Sequence, residues 1–319
     1  MKPFKTLEEQ IQVLRSRHLS ISDEQSVKNY LLSNNYYNII NGYGKYFLQS
    51  GDAFIVGTTF DEISRLYLFD KELKHAFFKA VIDAEAHLKA VFAYRFAETF
   101  PDKPYAYLNI DCYDNRKTLS VISTIAQLSQ IINRQQKYSN SEIQHYIKTH
   151  NDVPIWVLVN HLNFGTLRAM VDASTQHLQN KIAKDLHGFI TQHIPSAGKF
   201  PPETMNSFLE NINELRNVCA HNNRLLGFEC RQDTKYWTDL HCPCGIETDT
   251  PRRNVFSVFV SLQCFLSRIE FASLHNKILK LIHSHLEKHL HTISCSDVLT
   301  TLGFPPDWNH QNKIVYNAS

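Results

Sequence analysis

An all-α fold is what the sequence predicts, and three observations carry it. Only 10 glycines and 11 prolines occur in 319 residues, gathered at a few joints. Apolar residues recur at threes and fours over long stretches, the spacing of a helix face. Side chains that cap helix N-termini stand just ahead of several of those stretches.

Residues 7–17 form a first short helix. Ser22, with Gln25 three positions on, reads as a capping box opening a second helix toward Ser33. An aromatic segment with polar interleaving follows, from Asn35-Tyr36-Tyr37 through Gly42-Tyr43 to Tyr46-Phe47. Thr59 and Glu62 then cap the strongest element, where Ile63, Leu66, Leu73, Phe77, Val81, Ala84, Leu88, Val91 and Phe92 keep helical spacing. One helix over 60–98 is expected, far longer than the usual ~11–12 residues. Only a large helical bundle can cover such a rod.

Beyond a joint at 101–104, helices are expected over 117–136 and 141–149. Pro154 takes the first helical position ahead of Trp156, and Phe164-Gly165 ends that segment. Residues 176–193 are another amphipathic run, and Pro201-Pro202 opens the helix that ends near His221. Residues 227–253 hold most of what could be strand or loop, followed by helices over 254–271 and 274–291. No repeat, low-complexity tract or Gly/Ser linker interrupts the chain, so one domain over 1–319 is expected.

Hydrophobic residues make up 43% and charged residues 20%, a globular composition that excludes a disordered chain. Formal charge is only +2, so any nucleic-acid surface must be a local patch. The 17 histidines make the net charge climb steeply below about pH 6.5. Seven cysteines without framework spacing, behind an N-terminus with no apolar signal region, predict reduced thiols and a cytoplasmic location. The most apolar stretch, 255–266, is broken by Ser257, Ser261 and Gln263 and is too short to span a membrane.

The most informative stretch runs from Glu214 to Arg224 and holds Arg216, Asn217 and His221. Guanidinium clamps phosphate oxygens bidentately, imidazole gives and takes protons near neutrality, and an amide orients either. At about 100° per residue, Phe208, Ile212, Leu215 and Cys219 fall on one buried face. Asn217 and His221, four apart, project together from the other side, with Arg216 on the flank. One helix shows these groups splayed, so a closed site needs a bend at the helix end or a second copy of the helix. The same residues also suit an ordinary helix C-terminus, where cations offset the dipole by roughly 0.3–1 kcal/mol.

Other groupings carry less chemistry. Tyr36, Tyr37, Tyr43 and Tyr46 could stack unpaired bases or pack the N-terminal helices against the core. Arg65, Lys71, Lys74 and Lys79 could line an RNA path or form a solvated helix face. Cys230, His241, Cys242 and Cys244 offer four metal-ligating atoms, but C-x-C is not the usual zinc knuckle and an unliganded loop is expected. His285 and His289 read as exposed polar residues, and no metal or cofactor is assigned. Cys219 belongs to the packing face. Nucleophile-elbow, dinucleotide and P-loop motifs are all missing.

Taken in this order, the segments resemble the Abi-like family of bacterial abortive-infection proteins, the AbiD/AbiF group, whose members look like helical proteins of the HEPN superfamily. The likeness runs through Glu8-Glu9-Gln10-Ile11, Asn35-Tyr36-Tyr37 with Gly42-Tyr43, and Leu66-Tyr67-Leu68-Phe69-Asp70-Lys71-Glu72-Leu73. It continues in Trp156 with Asn163-Phe164-Gly165, in Leu215-Arg216-Asn217-Val218-Cys219-Ala220-His221, and in Gly303-Phe304-Pro305 with Trp308. The resemblance implies a HEPN-like helical bundle with additional N-terminal and C-terminal helices, an N-terminal extension over 1–57 and a variable loop over 227–253. It implies a metal-independent endoribonuclease with catalytic Arg216, Asn217 and His221, no cofactor, and active sites formed where two such helices meet in a homodimer. Tyr36, Tyr37, Tyr43 and Arg224 are the candidate RNA contacts. RNA is the implied substrate, a cognate non-coding RNA a conceivable partner, and toxicity in antiphage defence the implied role. A non-catalytic RNA-binding sensor using the same patch is the alternative.

Overall fold

The computed structural model describes residues 4–49 and 51–315. In chain order the helices are α1 (Leu7–Ser16), α2 (Glu24–Asn34), α3 (Phe60–Thr99), α4 (Thr118–Gln135), α5 (Glu142–His150), α6 (Ile155–Leu158) and α7 (Phe164–Ala173). They continue with α8 (Gln176–His193), α9 (Pro202–Ala220), α10 (Thr238–His241), α11 (Val255–Ser261), α12 (Arg268–Leu281) and α13 (Cys295–Thr301). Among the described residues there is no β-strand, only isolated bridges between single residues. The all-α class expected from the sequence is what the chain adopts. No helix of the described residues is long and apolar enough to cross a membrane.

Four local expectations change, each for a capping reason. Asp23, not Ser22, caps α2, accepting from the Ser26 amide at 3.0 Å. Pro154 is the N-cap of α6 and not its first helical residue. Phe164-Gly165 opens α7 instead of ending a helix, because Asn163 accepts from the Thr166 amide at 2.9 Å. A Cβ on Gly165 would sit 3.3 Å from the Asn163 side-chain oxygen, so glycine leaves that cap room. The helices expected over 254–271 and 274–291 break elsewhere: Ser267 and Glu270 form a reciprocal cap that starts α12.

Contacts group the chain into two compact units, Met1–Phe78 with Val218–Phe228 and Ala272–Ser319, and Lys79–Asn217 with Glu229–Phe271. Each is assembled from stretches far apart in sequence, so no linker marks either one.

In the first unit, Ile11, Leu14, Ile39, Phe47, Phe54, Ile63, Leu66, Phe69, Leu73 and Phe77 are all fully buried. The N-terminal extension is tied in by the Ser20 amide, which donates to the Thr58 carbonyl at 2.9 Å, and the Phe60 amide, which donates to the Ser20 carbonyl at 3.0 Å. Glu62 holds the C-terminal segment as well as its own helix. One carboxylate oxygen accepts from the Thr59 amide at 3.0 Å, closing the cap of α3. The other accepts from the amides of His291 and Thr292, both at 2.8 Å, and the Thr292 hydroxyl at 2.9 Å.

The second unit centres on Phe200, whose ring lies 5.1 Å from Trp237, 5.9 Å from Phe208 and 6.3 Å from Phe265. His241 belongs to this packing. It is fully buried, stacks on Tyr236 at 5.3 Å, and accepts the Trp237 amide on Nδ1 at 2.9 Å. Cys230 directs its sulfur at the Asn211 carbonyl, 3.8 Å away. Among the described residues no group of three or more His, Cys, Asp or Glu side chains is placed to hold a metal ion.

Two outcomes follow from these contacts. Burial alone would raise the Glu62 carboxyl, but the His291, Thr292 and Thr59 donors outweigh it and hold it below its ordinary value. Glu62→Ala should cost about 2–4 kcal/mol in urea denaturation at pH 7, the loss of a cap plus two orphaned amides. A depressed carboxylate stabilises above its unfolded value, so the gap to wild type should narrow as pH falls below about 4. For His241, burial and the nearby Arg252 lower the imidazole from 6.5 to about 4. Its stabilisation is therefore complete above pH 6.5 and lost progressively toward pH 4, to a limit of about 3 kcal/mol. His241→Phe should flatten that slope; an unchanged slope means another group sets it.

Candidate functional site

The helix α9 is built to end where it does. Pro202 starts it at a position that needs no amide, and Phe208, Ile212 and Leu215 are fully buried along one face. Asn222 has φ +54, the left-handed conformation that asparagine tolerates better than most residues. With that turn, the Asn223 amide donates to the Val218 carbonyl at 2.9 Å and the Asn222 amide to the Cys219 carbonyl at 3.2 Å. This pair of bonds is a Schellman motif, which makes His221 the C-cap. The chain thus bends at Asn222, directly after His221, and Arg216, Asn217 and His221 keep the spacing of one helix.

Two charges on α3 hold that bend. Asp70 and Lys74, one turn apart, have side chains 0% and 2% exposed and lie 3.4 Å from each other. Lys74 donates to the Asn222 side-chain oxygen at 2.7 Å and to its carbonyl at 3.3 Å. Asp70 accepts from the Leu225 and Leu226 amides at 3.0 and 2.9 Å and from the Tyr43 hydroxyl at 2.7 Å. Arg224 donates to the Gly42 and Leu226 carbonyls at 2.7 and 3.0 Å, and the Tyr46 hydroxyl donates to the Leu226 carbonyl at 3.0 Å. Burial raises the Asp70 carboxyl, against the pull of Lys74, Tyr43 and the two amides. Burial also pushes the Cys219 thiol up to about 12, so it stays neutral and is no nucleophile at pH 7.

The sequence-derived candidates separate by exposure. His221 and Asn217 are exposed and Arg216 is half-buried. Tyr37 is 69% exposed, with its ring open to solvent. Tyr36 is half-buried, its hydroxyl pushed up by burial against the pull of Arg17. Tyr43 is core: it is buried, donates to Asp70, and packs edge-on against Tyr67 at 5.4 Å. Its ring has no face left for a base. Arg224 is half-buried and braces backbone. Of the cations considered for an RNA path, Lys74 is buried, while Arg65 pairs with Asp61 and Lys79 with Asp83. Tyr37, Tyr43, Lys74 and Arg224 all line one cleft of about 240 Å³, together with Asn222 and Asn223.

Sequence reasoning missed Asp70 and Lys74 as the supports of the motif. The signal existed: both fall among Leu66, Leu73 and Phe77 on the apolar side of α3, where an unpaired charge would be costly.

Comparison with protein families now places the chain. A family model described as Abi-like protein matches residues 29–227. The chain belongs to the Abi-like family. The matched span contains α3, the aromatic 36–43 segment and the whole of α9 with its cap, so the Abi-like match covers both the candidate residues and their supports. Neither the curated proteins nor the solved structures yield a match.

Removing one member of the buried pair should be worse than changing both. Lys74→Met leaves Asp70 without its counter-charge, and Asp70→Asn does the reverse; each should cost about 3–5 kcal/mol in chemical denaturation. The double variant should recover a measurable part of that loss. Strict additivity would show that the two charges are not coupled.

Proposed function

We propose that this Abi-like protein is a HEPN-type endoribonuclease that cleaves RNA through its own 2′-hydroxyl and acts as a homodimeric toxin in abortive infection. The observation that carries the reading is an exposed imidazole, His221, seated at a rigid helix C-cap one turn beyond an exposed Asn217. Family membership supports the defence role, and Arg216 supplies the phosphate-binding group of the motif.

The chemistry balances with these side chains. His221 takes the proton from the ribose 2′-hydroxyl as that oxygen attacks phosphorus. A phosphorane develops, and the Arg216 guanidinium stabilises its charge, a contribution commonly near ~2.7–4 kcal/mol per donor. The bond to the 5′-oxygen breaks as an imidazolium returns a proton to it. Asn217 orients His221 or the phosphate. The products are a 2′,3′-cyclic phosphate and a 5′-hydroxyl, and no proton is gained or lost overall. In a homodimer, two His221 side chains can divide the base and acid steps. DNA lacks the nucleophile and is inert.

A second reading is a non-catalytic module that holds a structured RNA on the same patch, favoured by the open ring of Tyr37. Turnover separates the two. Purified protein in EDTA should cut single-stranded RNA to cyclic-phosphate ends and leave DNA intact. His221→Ala and Arg216→Ala should each lower the rate roughly 100- to 10,000-fold and abolish growth arrest on expression. Wild-type rates in both variants would sink the site assignment; tight binding with no turnover would select the second reading.

A further inference from the structure

The loop that follows His221 forms one wall of the 240 Å³ cleft, and the polar groups around that cleft fall into two classes. The charged ones are bonded to the protein, Lys74 fully and Arg224 in part. Lys74 is held by Asp70 and Asn222, and Arg224 by the Gly42 and Leu226 carbonyls. The Tyr43 hydroxyl is committed to Asp70. Of the side-chain amides in the lining, Asn222 is taken by Lys74 and three are not taken. The side-chain amides of Asn38, Asn41 and Asn223 line the cleft, are exposed, and have no hydrogen-bond partner among the described residues. Beside them stands the open ring of Tyr37.

That division selects the ligand. A phosphate site needs uncommitted cations or converging amide N–H groups; Lys74 is fully bonded, and Arg224 spends Nε and Nη1 on carbonyls, so only its Nη2 edge is left for a phosphate beside the base. A primary amide instead presents a donor and an acceptor side by side, the pattern that pairs with the edge of an unstacked base. A tyrosine face supplies the stacking surface for the same base. The volume lies below the roughly 300–1,000 Å³ of sites for larger ligands, which suits a single base. The cleft is also close to the reacting centre. Asn223 is two residues from His221, so their Cα atoms are at most about 7.6 Å apart.

We propose that this cleft is a nucleobase pocket: it takes one unpaired base of the RNA strand, with Asn38, Asn41 and Asn223 reading its edge and Tyr37 against its face. It rests on the nuclease reading for its role, which is to set the base next to the cleaved phosphate. The pocket gives the enzyme a base preference that the Arg216, Asn217 and His221 chemistry alone does not have.

The test uses binding so that it does not depend on turnover. The full-length His221→Ala protein is titrated into fluorescein-labelled five-nucleotide RNA homopolymers of A, C and U in EDTA, with anisotropy as the readout. One homopolymer should bind roughly 10-fold or more tightly than the others, the scale of one bidentate amide–base pair. Adding Asn38→Ala, Asn41→Ala and Asn223→Ala together should bring the three affinities within about 2-fold, and Tyr37→Ala should weaken all three alike. Single alanine variants with unchanged thermal midpoints guard against a folding defect in the combined one. Equal binding of the three homopolymers by the parent, or a preference that survives the alanines, overturns the pocket. Failure of the wild type to cut RNA while base discrimination persists overturns the nuclease reading and leaves the pocket standing.

Discussion

A carboxylate and an ammonium one turn apart on α3 fix the end of α9. Asp70 and Lys74 are both out of solvent, a placement tolerable only because each is fully engaged. The bonds they make reach 148 to 156 positions along the chain, to Asn222, Leu225 and Leu226. The Lys74 ammonium does three things at once. It neutralises Asp70, donates to the side-chain oxygen and carbonyl of the left-handed Asn222, and places positive charge where the dipole of α9 is negative. A helix end normally leaves four carbonyls without partners; here the turn itself takes two and the ammonium reinforces the rest of the bend. The consequence is an imidazole that is exposed without standing on a loose loop.

Much of this fold is legible in the sequence, and what is not has a common cause. The bounds of α3 follow from apolar spacing and from Thr59, whose hydroxyl accepts the Glu62 amide, and those of α8 from apolar spacing alone. The starts of α7 and α12 are hidden because Asn163 and Ser267 sit inside apolar runs that read as continuous helix. Lys74 reads as a solvated face because periodicity sorts residues by type. It cannot see that Asp70 and a turn 148 residues away complete the charge. The two units are invisible for the same reason: their segments meet through contacts that no local window contains. Within the motif, spacing placed Asn217 and His221 correctly on the open side, since both are exposed. Spacing could not separate Tyr37 from Tyr43, six residues on, although one is open and the other core.

Charge also bears on how such a site would choose its ligand. With a formal charge of +2, the chain has little global attraction for a polyanion. Lys74 and Arg224, the cations that line the cleft, both bond the backbone or side chains that shape it. Charge near the cleft therefore serves mainly rigidity, and in the proposed pocket recognition falls to neutral amides and one aromatic face. Neutral groups discriminate by geometry: a mismatched base leaves a desolvated donor or acceptor without a partner, whereas a cation accepts any phosphate within reach. A pocket of the proposed kind trades overall affinity for selectivity. Committing Asp70 and Lys74 to the chain after the motif thus secures the helix end that carries His221, and it leaves little of the charge beside the cleft to bind a polyanion.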